Sequence, residues 1–117
     1  MKLDLADKYF SKFIRTRDKW TCQRCKTKYK EGSLACSHFY GRRNESTRFE
    51  PDNCIALCYG CHKYFDETNR EAYREFKLKQ LGEKRFKSLQ VQVNTFKKKD
   101  RKLEAIIWKE ALKQLYR

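Results

Sequence analysis

Two Cys-x-x-Cys pairs, Cys22 with Cys25 and Cys58 with Cys61, constrain this chain more than any other feature. A Cys-x-x-Cys turn presents two thiolates to one metal ion, and two such turns complete the tetrahedral set of a closed structural zinc site. Binding at both pairs closes residues 26–57 into a loop whose two ends are fixed. It sets the segment ahead of the first strand beside the start of a later helix. The competing reading, one redox-active pair and one incidental pair, wants a thioredoxin-like βαβ surround that is missing here. Three disulfides would suit a secreted chain, but the sequence begins without an export signal. The other two cysteines, Cys36 and Cys54, fall in apolar strand-like stretches and read as small buried hydrophobes.

A length of 117 residues allows one compact domain with a modest core, the kind that needs such a staple. Leu3, Ala6, Phe10, Phe13 and Ile14 recur at helical spacing, so residues 3–17 predict a helix with Asp4 as its N-cap. A knuckle over 20–33 follows, turning at Gly32. Leu34 to Tyr40 and Ile55 to Leu57 read as two short strands, joined by a polar loop that holds the only proline, Pro51. Residues 62–81 predict a helix with Gly82 as its C-cap. Residues 83–96 fit either a helix or a strand. Lys97 to Lys99 form a charged hinge. Leu103, Ile107, Ala111 and Leu115, four apart and flanked by Trp108 and Leu112, predict an amphipathic last helix.

Charge bounds the partners. Lys and Arg number 29 against 15 Asp and Glu, a net charge of +14 spread along the whole chain. Such a chain attracts polyanions by releasing their condensed counterions, and nucleic acid is the expected one. An acidic membrane would exploit the same charge but needs a second anchor, and neither a lipidation motif nor a bilayer-length apolar run is present. The expectation is a soluble, cytoplasmic protein.

The two histidines both sit against the thiol-framed segment. His38 ends the first strand candidate, His62 follows Cys61 directly, and Asn53 lies between them. Cys22-x-x-Cys25, Ser37-His38-Phe39, Asn53 and Leu57-Cys58-x-x-Cys61-His62 together resemble the HNH nuclease motif in its zinc-containing form. The run Phe10 to Asp18, the nearby Arg42 and Arg43, and Thr47-Arg48-Phe49-Glu50 extend the likeness, over about residues 7–90, to the NinG/Rap recombination nucleases of bacteriophages.

That resemblance implies an α+β fold: a small zinc-stapled ββα-metal core with an N-terminal helix and a helical C-terminal tail. It divides the chain into a nuclease domain, 1–96, and a tail helix, 97–117, packed on the core or at a homodimer interface. It implies a metal-dependent DNA endonuclease, acting on duplex DNA or on branched recombination intermediates. His38 takes the general-base role, Asn53 orients it, and His62 ligates a catalytic Mg²⁺ or Mn²⁺. Many family members carry an Asp or His metal ligand just before the base. Here that residue is Ser37, so Asp66, one turn after His62, is the candidate replacement. Arg42, Arg43 and Arg48 are candidates for gripping the DNA backbone, since guanidinium forks match phosphate. A non-catalytic zinc module that binds nucleic acid would share the charge and the cysteines, though not the need for His38, Asn53 and His62.

Overall fold

The computed structural model describes residues 4–116. Its centre is an antiparallel hairpin of β1 (Ala35–His38) and β2 (Cys54–Leu57), in which Ala35 faces Leu57, Cys36 faces Ala56, Ser37 faces Ile55 and His38 faces Cys54. Successive side chains on a strand leave from opposite faces. The hairpin therefore has two different sides, and each organises a core cluster.

On one side Ile55 and Leu57 pack with Phe39, Phe65, Tyr73, Leu81, Phe86 and Leu89. The chain reaches this cluster through α2 (Tyr59–Lys63), a wider π-type turn (Tyr64–Thr68) and α3 (Arg70–Val93). The helix expected over 62–81 is not continuous. Asn69 breaks it with φ −147° and ψ 78°, and its side chain accepts the Ala72 N–H at 2.9 Å to cap α3. Gly82 does adopt a turn conformation, φ 82° and ψ 163°, but the helix resumes immediately. Residues 83–93 are thus helical, because Phe86 and Leu89 reach the core at helical spacing.

On the other side Cys36 and Cys54 meet Ala6, Phe10 and Ile14 of α1 (Leu5–Arg17), together with Phe49. Asp4 caps α1 as expected: its side chain accepts the Asp7 N–H at 3.0 Å while Asp7 accepts the Asp4 N–H at 3.1 Å. Leu3, placed in this helix by periodicity, lies outside the described residues. α4 (Arg101–Leu115) lies along α1, with Trp108 edge-on to Phe10 at 4.8 Å and tilted against Phe13 at 5.0 Å. The apolar file 103, 107, 111, 115 is not its seam. Leu103, Ile107 and Leu115 stay exposed, whereas Ala105, Trp108 and Leu112 turn inward. The large indole sets the rotation of the helix, since it has the most area to bury.

The end of α1 also ties off the outer edge of β2. Arg17 donates to the Cys54 carbonyl at 2.8 Å, and Asp18 accepts the Ala56 N–H at 2.9 Å. Gln23 N–H donates to the Ala56 carbonyl at 3.0 Å, and Cys54 N–H donates to the Pro51 carbonyl.

Candidate metal centre and the adjoining cleft

The knuckle is a tight turn. Lys26, at φ 62°, lets its N–H reach the Cys22 carbonyl at 2.8 Å, and Cys22 N–H donates to Thr27 at 3.0 Å. Cys58 is the N-cap of α2 and Cys61 sits in its first turn. The Sγ atoms of Cys22, Cys25, Cys58 and Cys61 all lie within 4.8 Å of one another, with Cys25 and Cys58 4.0 Å apart. A tetrahedral zinc with bonds of ~2.3 Å has edges of ~3.8 Å, so the four thiols could hold one ion with little adjustment.

The surroundings favour thiolate at Cys25 and Cys58, whereas burial pushes the Cys61 thiol up to about 12. Cys25 N–H approaches the Cys22 sulfur at 3.5 Å, and Arg24, stacked on Tyr64 at 4.0 Å, donates to the Cys61 sulfur at 3.5 Å. Hydrogen bonds from the Thr27 side chain and backbone draw the Cys25 thiol down to about 6.

Beside this centre is an open cleft of about 480 Å³ lined by His38, Gly41, Arg42, Arg43, Asn44 and Asp66. His62 joins it through Asp66: its Nε2 lies 2.7 Å from the Asp66 carboxylate, across one turn. Asp66 also meets Arg70 at 3.4 Å, and Arg70 donates to the Phe39 carbonyl at 2.7 Å, anchoring the turn to the end of β1. His38, Arg42, Arg43, His62 and Asp66 are therefore gathered on one side of the hairpin end. His38 is tucked against Phe10, and burial, aided by the positive Arg42, pushes its imidazole down to about 4. It is neutral at pH 7.

Ser37 is no part of this cleft. It points to the other face and shares a 2.7 Å hydrogen bond with the buried Tyr73 hydroxyl. Among the described residues the potential ligand groups of three or more are the four cysteines and a second set, Cys36, His38 and Cys54. His62 and Asp66 stand as a pair.

Two expectations need correcting. Asn53 does not accept from His38. Its side-chain oxygen takes the Tyr40 N–H at 2.8 Å, its backbone carbonyl takes the Phe39 N–H at 2.8 Å, and its amide donates to Tyr40 and Thr47. The Arg48 carbonyl faces the His38 ring, 3.1 Å from Nε2, and the Cys36 backbone also lies against the ring. Arg48 itself is not a free DNA contact. Its side chain is 6% exposed and forks onto Asp7 at 2.9 and 2.5 Å. A buried carboxylate needs such a partner, and α1 supplies the carboxylate.

Sequence reasoning missed Asp7, Arg70 and Arg24. Arg70 was the most accessible of them, since it follows Asp66 by four residues as Asp66 follows His62. Nothing in the sequence pairs Asp7 with Arg48.

The described residues thus define a class: a small α+β chain whose hairpin is flanked by four clustered thiols that could hold a metal ion, and opens onto a cleft lined by arginine and histidine. The family model for the bacteriophage lambda NinG protein matches residues 3–117, and the chain belongs to that family. Neither the curated proteins nor the solved structures contain a match. No helix among the described residues is long and apolar enough to cross a membrane.

Proposed function

We propose that this protein is a metal-dependent DNA endonuclease of the HNH (ββα-metal) kind, with structural zinc on its four cysteines, working in the cytoplasm of a phage-infected bacterial cell. The observation that carries the reading is the convergence of His38, Asp66, Arg42 and Arg43 on one open cleft. A module that only binds nucleic acid has use for the arginines but not for a neutral, half-buried histidine at the same place.

His38 is the general base. A carbonyl can only accept, so the Arg48 carbonyl fixes the proton on Nε2 and leaves the Nδ1 lone pair to take one from water. Arg48 therefore performs, through its backbone, the orienting role that the resemblance gives to Asn53. Asn53 acts one step back: by holding Thr47 and Tyr40 it fixes the loop that carries that carbonyl.

His62 and Asp66 would hold the divalent cation. Their 2.7 Å separation puts both within reach of a single cation. The cation's chemistry is neutralisation of charge on the phosphate and leaving oxygen. Arg42, whose Nε is buried without a hydrogen-bond partner among the described residues, and the exposed Arg43 grip the DNA backbone. The likeness to recombination nucleases supports branched DNA as the substrate.

Plasmid nicking with Mg²⁺ or Mn²⁺ tests the reading, with four-way junctions run beside their linear arms. His38→Ala should lower cleavage by ~10²–10⁴-fold, the usual worth of a positioned base. Undiminished cleavage in that variant removes His38 from the chemistry. DNA retention without cleavage by the wild type favours the binding module.

A further inference from the structure

The second ligand group lies on the opposite hairpin side from Ser37 and Tyr73. Cys36 and His38 leave the same face of β1, and Cys54 stands directly across from His38. A ring nitrogen of His38 and the sulfurs of Cys36 and Cys54 all lie within 4.8 Å of one another, as the four clustered thiols do. Cys54 is fully enclosed and Cys36 nearly so, while His38 is half-buried and reaches the cleft. An ion could therefore enter past the imidazole.

Three further features suit a metal. The His38 ring faces the Arg48 carbonyl with one nitrogen, the arrangement by which metal-ligating histidines fix their tautomer and free the other nitrogen. Two thiolates neutralise a divalent ion, so the filled site would bury no net charge. A disulfide fits less well, because the pair is diagonal: Cys36 faces Ala56, not Cys54. Diagonal positions on an antiparallel pair are roughly 7–8 Å apart, beyond the ~4.4–6.8 Å span that a disulfide accepts.

We propose that Cys36, His38 and Cys54 form a second metal site, for one thiophilic divalent ion such as Zn²⁺, and that filling it withdraws His38 from the cleft's chemistry. The site rests on the ligand geometry alone. Its consequence for cleavage rests on the reading of His38 as the base. High free zinc would then silence the enzyme through a centre separate from the four-cysteine one.

The test adds Co²⁺ to protein already holding one zinc. The wild type should take one further equivalent and develop a thiolate-to-cobalt charge-transfer band with the intensified visible bands of tetrahedral cobalt. Cys36→Ala and Cys54→Ala, each checked for folding by circular dichroism, should lose that band and weaken Co²⁺ binding by more than ~100-fold, since even outer-sphere changes cost ~10–100-fold. His38→Gln should keep sulfur ligation but shift the visible bands. In Mg²⁺-supported nicking, one equivalent of added Zn²⁺ should inhibit the wild type, and Cys36→Ala should need at least ~100-fold more.

A wild type that shows no second-equivalent band overturns the site, as does an unchanged band in both cysteine variants. Binding of the second ion without inhibition overturns the withdrawal of His38. A wild type that never nicks DNA refutes the nuclease reading instead, and the cobalt spectra still decide the site.

Discussion

The two faces of the hairpin are four residues long on each strand, yet they are held in different ways. The face carrying Ile55 and Leu57 meets a broad aromatic cluster, where Phe65 stacks on Tyr73 at 4.5 Å and Phe39 meets Tyr73 edge-on at 5.0 Å. The four thiols close it at one end. The face carrying Cys36 and Cys54 meets a smaller cluster and depends on α1, on the buried pair of Arg48 and Asp7, and on the cover of α4. The first rests on the larger apolar cluster, with four thiols at its end that could hold one metal ion. The second is an area-poor interface held by polar groups that must find each other. The cleft opens where the two meet, so its geometry depends on both.

The four-thiol end should give the largest effect. In zinc-loaded protein, Cys58→Ser, or removal of the ion by a chelator, should unfold the aromatic face, as a structural zinc supplies on the order of 10 kcal/mol of apparent binding energy. Near-UV circular dichroism and thermal melting report this, and unchanged signals after complete metal removal would break the comparison. Next is the polar face. Arg48→Ala leaves Asp7 buried and unpaired and should cost about 3–5 kcal/mol by urea unfolding. The double variant Arg48→Met with Asp7→Leu should recover most of that. Equal losses in the single and double variants would mean that the pair itself does not hold this face.

Trp108→Ala removes the indole that seats α4 on Phe10 and Phe13. Because Trp108 is only partly buried, about 2 kcal/mol is expected, below the ~3–5 of a fully enclosed aromatic. Tyr73→Phe keeps the stacking and strands the Ser37 hydroxyl, for about 1–2 kcal/mol. The smallest effect is in acid. Burial alone would raise the Asp7 carboxyl, but hydrogen bonds from Arg48 and the Asp4 backbone outweigh it and hold the group below its ordinary 3.8. The stability from that ionised carboxyl is present above pH 3.8 and is lost as pH falls through the lowered value. Asp7→Asn should flatten this part of the acid-unfolding curve, and an identical curve in the variant would remove Asp7 from the account.

Much of the frame was legible because it rests on local rules. The Asp4 cap, the turn at Gly32, the strand pair and the meeting of the two Cys-x-x-Cys turns follow from residue type and spacing. The pairing of His62 with Asp66 was legible for the same reason. What escaped depends on tertiary choice. Periodicity sees the apolar file of α4 but not that Trp108 will claim the interface, which turns Leu103 and Ile107 to solvent. It marks Arg48 as a loop cation but cannot see that Asp7, forty-one residues earlier, will claim it. Asn69 looked like one more residue in a helix, because its cap appears only once the π-type turn has widened the chain before it.

The sealed margin of β2 carries a consequence for how copies of this protein can meet. Its outward-facing backbone groups at Cys54 and Ala56 are already engaged by Arg17, Asp18, Gln23 and Pro51. A third strand would find no vacant rung there, so neither a passing peptide nor a neighbouring molecule can lengthen the sheet along this side. Self-association along this margin must go through side chains, and a chain trimmed back past Asp18 would forfeit that protection, leaving an open β-edge of the sort that seeds aggregation.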